Sequence, residues 1–136
     1  MRISKKGLYA LEALVVLAKN YPKRVAKIRE IASSEGIPEK FLELILLELK
    51  RARLVESERG AKGGYRLRRA PSRIFLGEIV RTIDGPLAPF GDAETLRHLV
   101  AGDKRHRTIY RVFLDVRNAA SRIMDYTSLA DLCRSG

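Results

Sequence analysis

The sequence predicts a mainly α fold with a small β-hairpin: a winged helix-turn-helix domain plus a long C-terminal dimerisation helix. Three observations lead there. Two short helical patterns meet across a glycine-bearing turn, Ser34-Glu-Gly-Ile37. Two alternating apolar/polar segments then flank a glycine-rich basic tip within Ser57–Leu67. Near the end of the chain, apolar residues recur at heptad spacing.

Each element has its own signal. Leu8, Leu11, Leu14, Val15 and Ala18 recur at helical spacing over residues 4–20, Ser4 suits the N-cap, and Pro22 ends the helix. A second helix over residues 28–34 stops at Gly36. Pro38 fits the first turn of a third helix, about residues 38–52, and Glu39 complements its positive end. Residues 54–58 and 65–69 alternate as half-buried strands do. The stretch between them is therefore a hairpin tip, and a hairpin directly after a helix-turn-helix is a wing. Pro71 closes it, and residues 74–83 read as another amphipathic helix. The domain boundaries follow: 1–84 for the winged unit, 85–106 for a linker or sensory loop marked by Gly85, Pro86 and Pro89, and 107–136 for the dimerisation helix and tail. In that last segment Ile109, Phe113, Val116, Ala120 and Ile123 form the heptad seam, with little else for it to pack on, so a second copy of the chain is the expected partner.

Charge narrows the function. The 136 residues carry a formal net charge of +11. Residues 1–73 hold 18 Lys/Arg against 8 Asp/Glu, while residues 74–136 hold 9 against 8. A basic half joined to a near-neutral half points to a polyanionic partner for the first. The tip Gly60-Ala-Lys-Gly-Gly64 is no nucleotide loop, because it runs into a strand and lacks the Lys-Ser/Thr pair that a phosphate-cradling loop needs. An arginine at such a tip, Arg59, suits a narrow minor groove.

The single cysteine, Cys133, excludes an internal disulfide and paired-cysteine zinc sites, which fits a reducing cytoplasm. The basic start before an apolar run is interrupted by Glu12 and carries no cleavage pattern, so it reads as a folded helix rather than a leader. His98, His106, Asp92, Glu94 and Asp103 match no metal-ligand spacing, so no metal site is expected. Nothing in the sequence positions a base beside Cys133, so no enzyme is expected either. A general basic RNA-binding protein is the competing reading, and it needs exposed aromatic platforms among the basic residues.

Several stretches together resemble one family. Lys5-Lys-Gly-Leu-Tyr-Ala-Leu11, Ile31-Ala with Gly36-Ile-Pro38, Arg59–Leu67, Ile74–Val80, Asp84-Gly-Pro-Leu-Ala-Pro89 and Ser128–Leu132 look like the IscR/NsrR/CymR family of bacterial winged-helix regulators, in order and over nearly the whole chain. The resemblance implies a homodimeric transcription regulator in the cytoplasm, associated with the nucleoid. It is usually a repressor on a near-palindromic operator, with the third helix in the major groove and the wing in the minor groove. The DNA-binding set expected from these readings is Arg2, Lys5, Lys6, Tyr9, Glu39, Lys40, Glu43, Arg59, Gly60, Lys62 and Tyr65. Two departures stand out. Residues 85–106 lack the three cysteines that hold an iron–sulfur cluster in many members, so no cofactor is expected, and the signal would be a small molecule, a partner protein or oxidation of Cys133. Arg53 stands where the family often has glycine, which puts a left-handed backbone there in doubt.

Overall fold

Ser4 opens the first helix as expected: its hydroxyl accepts the Gly7 N–H at 3.0 Å, and α1 runs Lys5–Asn20. The structure, a computed structural model, describes residues 1–134. After α1 come α2 (Ile28–Glu35) and α3 (Glu39–Arg51), then the strands β1 (Val55–Glu58) and β2 (Gly64–Leu67). A short 3-10 turn at Pro71–Arg73 leads to α4 (Leu76–Asp84), α5 (Ala93–Gly102), α6 (Arg107–Met124) and α7 (Leu129–Arg134).

The helix-turn-helix closes through Gly36, whose φ of 65° ends α2. Pro38 then caps α3, which buries Leu42, Ile45, Leu46 and Leu49 against α1 and α2. The two strands pair antiparallel from Val55 opposite Leu67 to Glu58 opposite Gly64. Ala26, just before α2, adds a bridge to this hairpin by exchanging two hydrogen bonds with Tyr65, at 2.8 and 2.9 Å. The wing is thereby tied to the helical core rather than left as a free ribbon.

Three expectations need correction. The turn after α3 keeps its left-handed conformation without glycine: Arg53 has φ 63°. Its N–H donates to the Lys50 carbonyl at 3.0 Å, and the next N–H, that of Leu54, donates to Leu49 at 2.9 Å. With Leu54 fully buried, the surroundings hold the strained residue in place. Residues 85–106 are more than a linker. Asp92 accepts the Thr95 N–H at 2.8 Å and starts α5, whose Leu96 is buried. Because α5 and α4 both pack on α6, that helix has neighbours within its own chain.

The third difference concerns the tail. After α6 the chain turns back: Ser128 pairs with Phe75, and Leu129 enters the same apolar cluster as Leu14, Leu46 and Ile79. The C-terminal segment thus completes the winged helix-turn-helix unit, which we call the head, while α5 and α6 form an arm. A second, smaller cluster of Val80, Leu87 and Met124 joins α4 to the far end of α6.

One ion pair fastens the same junction. Arg81 on α4 donates two hydrogen bonds to Asp125, at 2.6 and 2.8 Å. Asp125 fits there because residue 77 is glycine, where an added Cβ would lie 2.0 Å from the carboxylate. The guanidinium holds the Asp125 carboxyl below the usual carboxylate range. No helix among the described residues is long and apolar enough to cross a membrane.

Candidate nucleic-acid interface

The outward face of α3 is set by its buried one. With Leu42, Ile45, Leu46 and Leu49 turned inward, helical spacing of 3.6 residues per turn leaves Lys40, Leu44, Leu47 and Arg51 at the centre of the opposite face. Glu39 and Glu43 flank that row and are exposed. Glu39, Lys40 and Glu43 make no ion pair among the described residues, so their side chains remain available.

The wing tip projects the residues expected of it. Arg59, Gly60, Ala61 and Lys62 are all exposed, and Gly60 turns the chain at φ 101°. Lys27, which the sequence reading missed, donates to the Ala61 carbonyl at 2.6 Å and braces the tip from the residue just before α2. Its signal appears only once the chain is folded, since 34 residues separate donor and acceptor. Arg66 on β2 is neutralised by Glu56 at 2.8 Å and by Glu58, which raises its pKa, Glu56 contributing most. Arg59 and Lys62 have no such partner among the described residues.

At the start of α1 the structure divides the expected residues. Arg2 and Lys5 are exposed, and the Lys5 ammonium lies 5.4 Å above the Tyr9 ring. Lys6 is bonded to Glu48 of α3, and Tyr9 packs edge-on against Phe41 at 5.6 Å. Lys6 and Tyr9 therefore fix α3 against α1. Tyr65 is likewise half-buried against the core and bonded to Ala26 through its backbone. The aromatic platforms that an RNA-binding reading needs are not found on this surface. Tyr9, Phe41 and Tyr65 pack on the core, and the exposed Phe90 and Tyr126 lie outside the helix-turn-helix and wing.

The arm presents a different surface. Ile109, Val112, Val116 and Ile123 are exposed on α6, whereas Phe113 and Ala120 of the expected seam are half-buried. The outward row is therefore Ile109, Val112, Val116, Ala119 and Ile123, still at heptad spacing but shifted one position at two places. Beside the arm opens a cleft of about 430 Å³, lined by residues that include Arg81, Leu87, Asp92, Arg97 and Arg117. Asp92 is committed to capping α5, whose Thr95 N–H, the largest of several causes, lowers its pKa.

No group of three or more His, Cys, Asp or Glu side chains among the described residues is placed to hold a metal ion. His106 sits 3.0 Å from Asp103, and His98 lies 3.9 Å from Glu94, each an isolated pair within one stretch of chain. Cys133 lies on α7 against α1, its sulfur 3.9 Å from the Val15 carbonyl.

Comparison with known proteins agrees with this geometry. Residues 3–135 match the Rrf2 family model, described as "Iron-dependent Transcriptional regulator". The chain is 33% identical over 132 residues to the HTH-type transcriptional regulator CymR of Bacillus subtilis, covering 97% of this chain and 89% of that one. It is 27% identical over 137 residues to IscR of Cereibacter sphaeroides, covering 99% and 88%. The structure of CymR, the global cysteine regulator of B. subtilis, superposes with a TM-score of 0.85 at 32% identity, covering 100% of this chain and 98% of that one. That of T. potens IscR superposes with 0.75 at 29% identity, covering 99% and 88%. The iron in the family description finds no cysteine set here: the only thiol is Cys133, outside residues 85–106, so these residues do not fit a cysteine-held cluster. By sequence and fold alike, the chain belongs to the Rrf2 family of helix-turn-helix transcriptional regulators.

Proposed function

We propose that the chain acts as a homodimeric repressor on a near-palindromic operator, with α3 in the major groove and the wing in the minor groove of each half-site. The observation that carries this reading is the unpaired basic tip, Arg59 and Lys62, on a wing held to the helix-turn-helix by Ala26 and Lys27. Arg2 and Lys5 supply phosphate contacts that set docking register. The apolar row on α6 is the contact between protomers, and a dimer across a duplex acts by occlusion. The cytoplasm and its nucleoid are the site of action. Effector control, by a small molecule or a protein, belongs to the arm, where the cleft beside Arg81 opens. No catalytic role is assigned.

Selection of bound sites from random duplex DNA tests the operator and its symmetry. On the selected site, Arg59→Ala should weaken binding and relax preference where the minor groove is narrow. Lys62→Ala should weaken all duplexes alike and lower the salt slope by about one unit. Unchanged affinity in Arg59→Ala, with the fold intact by circular dichroism, would remove the wing from the interface.

A further inference from the structure

A groove-reading helix normally shows polar side chains at the middle of its outward face. On α3 that middle is apolar: Leu44 is 59% exposed and Leu47 is 43% exposed. Single exposed leucines are ordinary, but these two are three residues apart and adjoin on the helix surface. Lys40 precedes them and Arg51 follows on the same row, so the apolar spot lies between two cations. That setting favours a polyanion with an apolar feature at its centre. It disfavours a second protein chain, since the larger apolar surface for that purpose lies on α6.

We infer that Leu44 and Leu47 read the 5-methyl groups of thymines near the centre of each half-site, which makes them specificity-determining residues. The inference rests on the operator reading above. In the major groove the one apolar group on a base edge is the thymine methyl, and every other feature there is a donor or an acceptor. A leucine set against a cytosine amino group or a guanine oxygen leaves that group desolvated and unpaired, so the same side chains also reject the wrong base. Three residues advance a helix by about 4.5 Å, which lets the two leucines address neighbouring base pairs. Glu43 beside them offers a carboxylate to a cytosine amino group.

The test alters the DNA first. In the selected operator, each thymine of a half-site is replaced in turn by deoxyuridine, which removes the methyl and preserves pairing. Affinities are measured by fluorescence anisotropy with the full-length protein. Loss of one buried methyl should weaken wild-type binding about fourfold at one or two positions. In Leu44→Ala/Leu47→Ala the same replacements should cost nothing at those positions, although affinity for the thymine operator is lower. Wild-type protein that binds its operator equally well with every thymine demethylated would overturn the inference and leave the operator reading standing. A methyl effect undiminished in the double variant would also overturn it. So would a change of oligomeric state in that variant by light scattering, which would show a second copy on this face. A chain that selects no site at all would sink the operator reading itself, and this inference with it.

Discussion

The head and the arm follow opposite rules for their apolar side chains. In the head, Leu14, Leu42, Leu46, Leu49 and Leu67 are fully or almost fully buried, and what faces outward is mainly charge. In the arm, Ile109, Val112, Val116 and Ile123 face outward, the last of them 66% exposed. A head built this way is complete within one chain, whereas the arm leaves exposed an apolar strip of the kind that marks an interaction surface. Met1, Ile3 and Leu8 at the start of the chain are exposed exceptions in the head, and so are Leu44 and Leu47, which adjoin on one helix face between Lys40 and Arg51.

The sharpest way to break this comparison is to charge the arm. Val116→Asp together with Ile123→Asp should give monomers by light scattering, and operator affinity should fall by on the order of a hundredfold as avidity is lost. A wild type already monomeric at micromolar concentration would refute the role given to the arm. Next in size is the head's dependence on the tail. Leu129→Ala opens a cavity in the head's core, and a loss of about 2 to 5 kcal/mol is expected in denaturant unfolding. If stability is unchanged, α7 is an ornament rather than part of the head.

The clasp between the two regions should be a smaller, pH-dependent contribution. Asp125 has its pKa lowered by Arg81, so its stabilisation is full above the unfolded value of about 3.9 and is lost as pH falls through the lower folded value. Asp125→Asn should therefore lower stability at neutral pH by up to about 1 kcal/mol, a modest figure for a pair a third exposed to solvent. The gap to wild type should close in melts recorded well below pH 4. Asp92, Asp103 and Asp131 have lowered pKa values too, so the variant keeps most of its acid sensitivity. A gap that stays constant with pH would assign the effect to packing. The smallest change expected is a gain. Arg53→Gly relieves a left-handed conformation but adds freedom to the unfolded chain, leaving about 0.5 kcal/mol of stabilisation in the head. A loss of stability instead would mean that the Arg53 side chain contributes to the head.

The head was largely legible in the sequence because its signals are local. Ser4, Gly36 and Pro38 punctuate helices through their own backbone preferences, and strand alternation shows in residues 54–58. What escaped detection depends on contacts distant in sequence. α5 has one buried residue, Leu96, and its periodicity is faint without α6 to pack on, although Asp92 three residues before Thr95 was a readable cap. Arg53 looked unsuited to its turn because propensity carries no knowledge of the hydrogen bonds that hold it. Which residues of the expected interface stand free of intramolecular partners was not legible in the sequence. Lys6 and Tyr65 belong to the expected set, and only the folded chain shows them engaged with Glu48 and Ala26. Of the expected seam, Phe113 and Ala120 are half-buried, which sequence spacing could not show because α5 covers one side of α6.

The return of Leu129 to the head has a consequence for synthesis. A ribosome delivers the chain from its N-terminus, and helices α1 to α4 emerge with their core still missing a piece that is made later, Leu129. During that interval the nascent head is less stable than the finished one. Order of assembly then becomes a property of where a single leucine falls in the chain.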